Sequence, residues 1–134
     1  MYKRQVVAVS AEHGNPYDGR LLKSTVSQAE KNTGEKVKDV FVDKSYRGCK
    51  HHPEGVGVFI SGRKNLPRKL KSLLKGRSGI EPIIGHLKND HRLSRNYLLG
   101  IVGDKINAVL SACAFNLKKI LRLGFVEKSA LITV

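Results

Sequence analysis

Apolar residues fall in short runs over the first half of this chain and in long stripes over the second. Residues 5–11 (QVVAVSA) are rich in Val and predict a strand. Residues 37–42 (VKDVFV) and 55–60 (GVGVFI) predict two more, the first of them closed by Asp43. Between the first and second runs, Leu22, Val26 and Ala29 make one stripe over Arg20–Asn32, and Gly34 stops it, so this segment predicts a helix. Residues 14–19 (GNPYDG) read as a turn by their Gly, Asn, Pro and Asp, with Asp18 placed to N-cap that helix. Leu66, Leu70, Leu73 and Leu74 suggest a further helix beginning near Pro67. In the last third, Val102, Ile106, Val109, Leu110, Cys113, Leu117, Ile120 and Leu121 recur at helical spacing. They predict a core-facing stripe on a helix that Gly124 ends, with Phe125 to Val134 unplaced. Strand, helix, strand, strand and then helices is an α/β pattern.

The chain has 134 residues, which suits one domain with its own core. Charge changes the picture more than length does. There are 25 Lys and Arg against 11 Asp and Glu, a formal net charge of +14. The basic residues run from Lys3 to Lys128, so they are no detachable tail, and a polyanion becomes the first partner to consider. Cys49 and Cys113 lack any CxxC context and read as free thiols in a reducing cytoplasm. No signal peptide is evident at the start. The apolar segment near Ile101 to Leu123 carries Asp104, Lys105, Lys118, Lys119 and Arg122, which argues against a membrane span.

Two carboxylates stand out against this basic background. Arg77 lies four positions before Glu81 and Lys88 seven after it, so one continuous helix would carry all three on one face. A carboxylate between two cations can hold a divalent metal beside a phosphodiester. It can equally close a capping box, Ser78 as N-cap and Glu81 at N3, with Pro82 following in the first turn. Asp43 sits at the C-terminal end of an apolar strand, where α/β proteins gather ligands. A strand-ending Asp also commonly caps a turn. Together, an acid at a strand end and another on a later helix are what metal-assisted phosphoryl transfer requires, with nearby cations on the DNA backbone. Cys49, His51 and His52 lack a second cluster to complete a zinc site. No phosphate loop and no acyl-transfer nucleophile motif is present.

Four stretches, GNPYDGRLL, VFVDKSYRG, GIEPIIGHLKNDHRLSRNYLLG and GDKINAVLSACAFNLKKIL, resemble the C-terminal part of bacterial insertion-sequence transposases of the DDE type. Within the insertion-sequence four/five superfamily they look most like the insertion-sequence five group. The resemblance implies a partial RNase H-like catalytic domain, a mixed sheet with flanking helices and a helical last third. It implies three carboxylates that bind Mg2+ or Mn2+, hydrolysis at transposon ends, and attack of the freed 3′-hydroxyl on target DNA. Asp43 matches the family's second catalytic Asp, and Glu81 its catalytic Glu. Arg77, Glu81 and Lys88 keep the spacing of the family's Tyr-x-x-Arg-x-x-x-Glu-x-x-x-x-x-x-Lys signature, but Leu74 stands at the Tyr position.

The family's first catalytic Asp lies upstream of the GNPYDG region. Asp18 belongs to that turn and Asp39 to the strand leading to Asp43, so neither replaces it. The expectation is a truncated chain with two of three metal carboxylates, missing the first strand and the DNA-recognition region. Its metal affinity should be weak. Its VFV strand should lack a neighbour, and marginal stability or self-association should follow.

Three functions compete: a transposase, inactive alone; a non-enzymatic DNA-binding fragment that modulates an intact transposase by mixed assembly; and a general RNA-binding protein. With 4 Phe, 4 Tyr and no Trp, base-stacking surfaces for the third are scarce. Lys88, Arg92 and Arg95, close to Glu81 in sequence, are the expected DNA contacts along with Arg77.

Overall fold

The computed structural model describes residues 4–14, 16–46, 52–62 and 67–130, with side chains as far as Arg122. The order of elements is α1 (Asp18–Thr33), β1 (Asp39–Val42), β2 (Gly57–Ile60), α2 (Arg68–Arg77), α3 (Ile80–Asn89) and α4 (Gly100–Ala130). A single 3-10 turn, Lys44–Tyr46, follows β1. The chain divides into two units, Glu12–Ile83 and Met1–Ala11 with Ile84–Val134.

The Glu12–Ile83 unit is built the way its apolar pattern predicts. β1 and β2 pair in parallel, with Asp39 opposite Gly57 and Val42 opposite Ile60. Among the described residues the sheet has two strands, and they run parallel. A Cβ at Gly57 would lie 2.6 Å from Asp39 Oδ1, so a side chain there would displace the Asp39 carboxylate. Leu22 and Val26 of α1 bury against Val42 and Ile60, with Val37, Val40, Tyr46, Val56 and Val58 packed around them. Each such aliphatic contributes about 1.5–3 kcal/mol on full burial. Gly34 ends α1 in the left-handed region and its N–H reaches Glu30 O, a glycine C-cap. Asp18 does not N-cap α1. Tyr17 holds that position, and Asp18 is the first helical residue.

The other unit departs from its pattern. Residues 5–11 form no strand. The Val6 N–H instead donates to Asn116 Oδ1 (3.0 Å), and Asn116 Nδ2 donates to Val6 O (2.7 Å), so a side-chain amide on α4 stands in for a neighbouring strand. Lys119 Nζ adds a bond to Arg4 O (2.9 Å).

α4 packs through its small residues. Ala108, Ser111 and Ala112 are buried, and Ser111 Oγ donates to His91 O (2.8 Å). His91 meets Phe115 edge-on at 6.0 Å. Near its start, Gly103 packs directly under the Leu98 backbone, where a Cβ would come within 2.7 Å of the carbonyl carbon. The stripe expected in the core is exposed: Val102, Ile106, Val109, Leu110, Leu117, Ile120 and Leu121 all face outward. Nor does Gly124 end the helix, which continues to Ala130. An embedded glycine costs only about 1 kcal/mol in a helix, too little to terminate a long one by itself. No helix among the described residues is long and apolar enough to cross a membrane.

Candidate metal and nucleic-acid site

Asp43 is the first residue beyond β1, and the local chain fixes its carboxylate. Its Oδ1 accepts from the Ser45 N–H at 2.9 Å and from Ser45 Oγ at 2.5 Å. This is the turn-capping geometry that a strand-ending Asp adopts. These two hydrogen bonds, and then the positive charge of Arg77, hold the Asp43 carboxyl below its usual range, so it is ionised at neutral pH.

The same Ser45 hydroxyl lies 3.1 Å from Asp18 Oδ2. One hydroxyl proton serves one carboxylate at a time, and the shorter contact is to Asp43. Two acids from different elements, α1 and the end of β1, therefore meet at one serine. Tyr46 feels both: burial first, then Asp18 and Asp43, push its phenol above the ordinary value. Sequence reading assigned Asp18 to a cap and missed this meeting. The only available signal was that GNPYDG and VDKSYRG both belong to the matched text.

Glu81 pairs with Arg77 across the break between α2 and α3. α2 and α3 are not one helix, because Ser78 and Gly79 form a turn between them. Ser78 Oγ donates back to Lys75 O (2.5 Å), so the capping box is not formed and Glu81 is free of that duty. Glu81 instead stands in the first turn of α3, where the helix dipole favours a negative charge. Its Oε1 lies 3.8 Å from Arg77 Nη2, with 68% of its side chain exposed. Such a pair stabilises little, about 0–1 kcal/mol. Arg77, at the end of α2, pairs with Glu81 and adds only the smallest of the contributions that shift Asp43. Asp43, Arg77 and Glu81 lie in one unit.

Lys88, Arg92 and Arg95 belong to the other unit, where they line one cavity of ≈ 350 Å³ with Asn89, Ser94 and Tyr97. The loop after α3 curls back to make it. The Leu93 N–H donates to Leu87 O (2.9 Å) and Ser94 Oγ to Lys88 O (3.0 Å), satisfying carbonyls at the helix end. Arg92 adopts φ 58°, a left-handed conformation uncommon for a non-glycine residue, and its carbonyl accepts from the Arg95 N–H (3.0 Å). Tyr97, 74% exposed, places an aromatic face at the cavity wall. Three cations around one open cavity suit a phosphate backbone.

The remaining titratable groups nearby are paired. His86 Nδ1 lies 2.9 Å from Asp90 Oδ2, and Lys118 Nζ 3.5 Å from the same oxygen. The hydrogen bond from His86, then Lys118, keeps the Asp90 carboxyl below its usual range. Of the Cys49–His52 cluster only His52 lies within the described residues, and its Nε2 sits 3.3 Å from Tyr46 O. Cys113 is a free, exposed thiol, and Cys49 lies outside the described residues.

The donor set suits a hard divalent cation. Asp43 is ionised, Glu81 is exposed, and carboxylate oxygens are what Mg2+ and Mn2+ prefer. The set is small, however: among the described residues no three His, Cys, Asp or Glu side chains gather as a metal site. Mg2+ commonly keeps several waters and takes one or two carboxylates, so acids of this type suit it singly or in pairs.

No curated protein and no solved structure shows significant similarity to the chain. One family model does match, that of the transposase DDE domain, over residues 60–121. That span holds Arg77, Glu81, Lys88, Arg92 and Arg95 and ends short of Asp43 on its N-terminal side. DDE transposase domains depend in general on divalent metals and act on DNA. The similarity of residues 60–121 to this domain supports a DDE transposase.

Proposed function

We propose that this chain carries carboxylate-and-cation machinery of an insertion-sequence DDE transposase, of the insertion-sequence five group, on an RNase H-like framework. The observations that support this reading are the packing of α2 against β1, the Arg77–Glu81 ion pair at the start of α3, and the weaker pull of the Arg77 charge on Asp43. Asp43 and Glu81 are the residues that would hold Mg2+ or Mn2+. The metal would supply activation of the attacking oxygen and stabilisation of the leaving one in DNA strand cleavage and transfer. Ser45 orients and ionises Asp43 through its N–H and hydroxyl. Arg77 limits repulsion between the two acids and offers a charge to a phosphate. Lys88, Arg92 and Arg95 bind the backbone of double-stranded DNA, at transposon ends or target, on nucleoid DNA in the bacterial cytoplasm.

A two-carboxylate shell holds metal weakly, and the chain alone cleaves poorly or not at all. A second reading therefore stands beside the first: a non-enzymatic DNA-binding chain that modulates an intact transposase. It is favoured by the sparse donor set, since no three His, Cys, Asp or Glu side chains gather as a metal site among the described residues. A labelled transposon-end duplex with Mg2+ or Mn2+ separates the two. Nicking that Glu81→Gln abolishes selects the enzyme. Salt-dependent binding without nicking, weakened by removing Arg92 and Arg95, selects the modulator. No DNA binding at low salt overturns both.

A further inference from the structure

The exposed stripe of α4 is more regular than a solvated surface needs to be. Its eight positions are two sets of four separated by eleven residues, 102, 106, 109 and 110, then 113, 117, 120 and 121. An eleven-residue repeat is about 3.67 residues per turn, so the stripe hardly drifts around the helix. It spans about 28 Å of axis at 1.5 Å per residue. No charged residue falls on it, and α4 meets its own unit through the opposite, small-residue face.

We propose that this face of α4 is a self-association surface, and that its occupant is α4 of a second copy of this chain, packed antiparallel. The sequence itself points to the occupant. When α4 is reversed about a twofold axis between Ser111 and Ala112, the stripe falls largely on itself. Val102 comes opposite Leu121, Ile106 opposite Leu117, and Leu110 opposite Cys113. A twofold contact demands this self-complementarity, because one patch must serve both copies. An unrelated partner would impose no such symmetry.

The area is adequate. Val102 is 70% exposed and Leu117 58%, with the other large residues of the stripe near half. They offer roughly 600 Å² per copy, or about 1,200 Å² in the pair, the lower end of the range for specific complexes. An interface of that size, cored by aliphatic residues, implies a dissociation constant on the order of micromolar. The formal charge of +14 per chain opposes association, and salt screens that repulsion. Self-association should therefore tighten as salt rises, whereas binding to DNA loosens. The inference stands independently of the chemistry at Asp43 and Glu81. It also places self-association on α4 and not on the open edge of β1.

The test uses the full chain at about 100 µM, well above a micromolar dissociation constant, in sedimentation equilibrium at low and high salt. The expected result is a dimer of the 14.8 kDa chain that strengthens with salt. Leu110→Lys with Leu117→Lys changes only exposed positions, so helical circular dichroism should be retained while dimer affinity falls at least about tenfold. Cys113 should cross-link to its counterpart through a short bis-maleimide in a Cys49→Ser background. A monomer at every salt concentration overturns the proposal. So does a dimer or larger assembly that the double Lys variant leaves intact, which would place the contact elsewhere.

Discussion

α1 and α4 carry the same kind of apolar stripe and meet opposite fates. In α1, Leu22 and Val26 lie 5% and 6% exposed against Val42 and Ile60 of the sheet. In α4 the aliphatic face looks outward, and the helix is seated by alanines, a serine, an asparagine and a lysine. The first arrangement draws its stability from the removal of apolar surface from water. The second draws on close approach and on hydrogen bonds to backbone groups. A 3.6-residue period shows that a helix has two faces; it does not say which one the protein covers.

The sharpest way to break this contrast is a pair of matched substitutions. Leu22→Ala should destabilise by about 2–4 kcal/mol, because it opens a cavity in a small core. Leu117→Ala, made in dilute chain, should change stability by less than about 0.5 kcal/mol. Urea unfolding followed by circular dichroism gives both numbers, and equal losses would show that the α4 stripe is covered within the folded chain.

Two glycines extend the comparison to backbone packing. Gly103→Ala forces a methyl into the Leu98 backbone and should cost about 1–3 kcal/mol. Gly85→Ala, in the middle of α3 with nothing within 4 Å of the new Cβ, should stabilise by up to about 1 kcal/mol. Thermal melts of the two variants should therefore move in opposite directions.

The smallest effect concerns Asp43. Its folded pKa lies below the ordinary value of 3.8. The sign follows: its contribution is present above 3.8 and is lost as pH falls through the lower folded value. Asp43→Asn should flatten stability against pH only in that acidic window. The same substitution removes one of the charges that raise Tyr46, so the Tyr46 phenol should titrate at lower pH in an NMR titration.

Legibility in the sequence followed the kind of information each feature needed. β1, β2 and α1 were readable because β-branched runs, an apolar stripe and a glycine stop all act locally. The start of α2 was readable from Pro67. The strand expected at residues 5–11 was not formed, because strands need a neighbour and periodicity cannot supply one. Asp43 was a candidate from its place at a strand end, and Arg77 and Glu81 from their spacing. What was hidden was tertiary: the break at Ser78 and Gly79, the return of the Ser78 hydroxyl to Lys75, and the meeting of Asp18 with Asp43 at Ser45. Lys88, Arg92 and Arg95 were named from proximity in sequence, whereas the cavity they line depends on a left-handed Arg92 that no pattern announces.

The central claim is that Asp43 and Glu81 act as one metal site. Mn2+ titrated into the full chain, with paramagnetic broadening read at the Ser45 and Glu81 backbone amides, tests it most directly. Both amides should broaden together over the same Mn2+ range, and Asp43→Asn should weaken both by at least about tenfold. Broadening at one amide alone, or an Asp43→Asn variant that leaves Glu81 broadening unchanged, would contradict it.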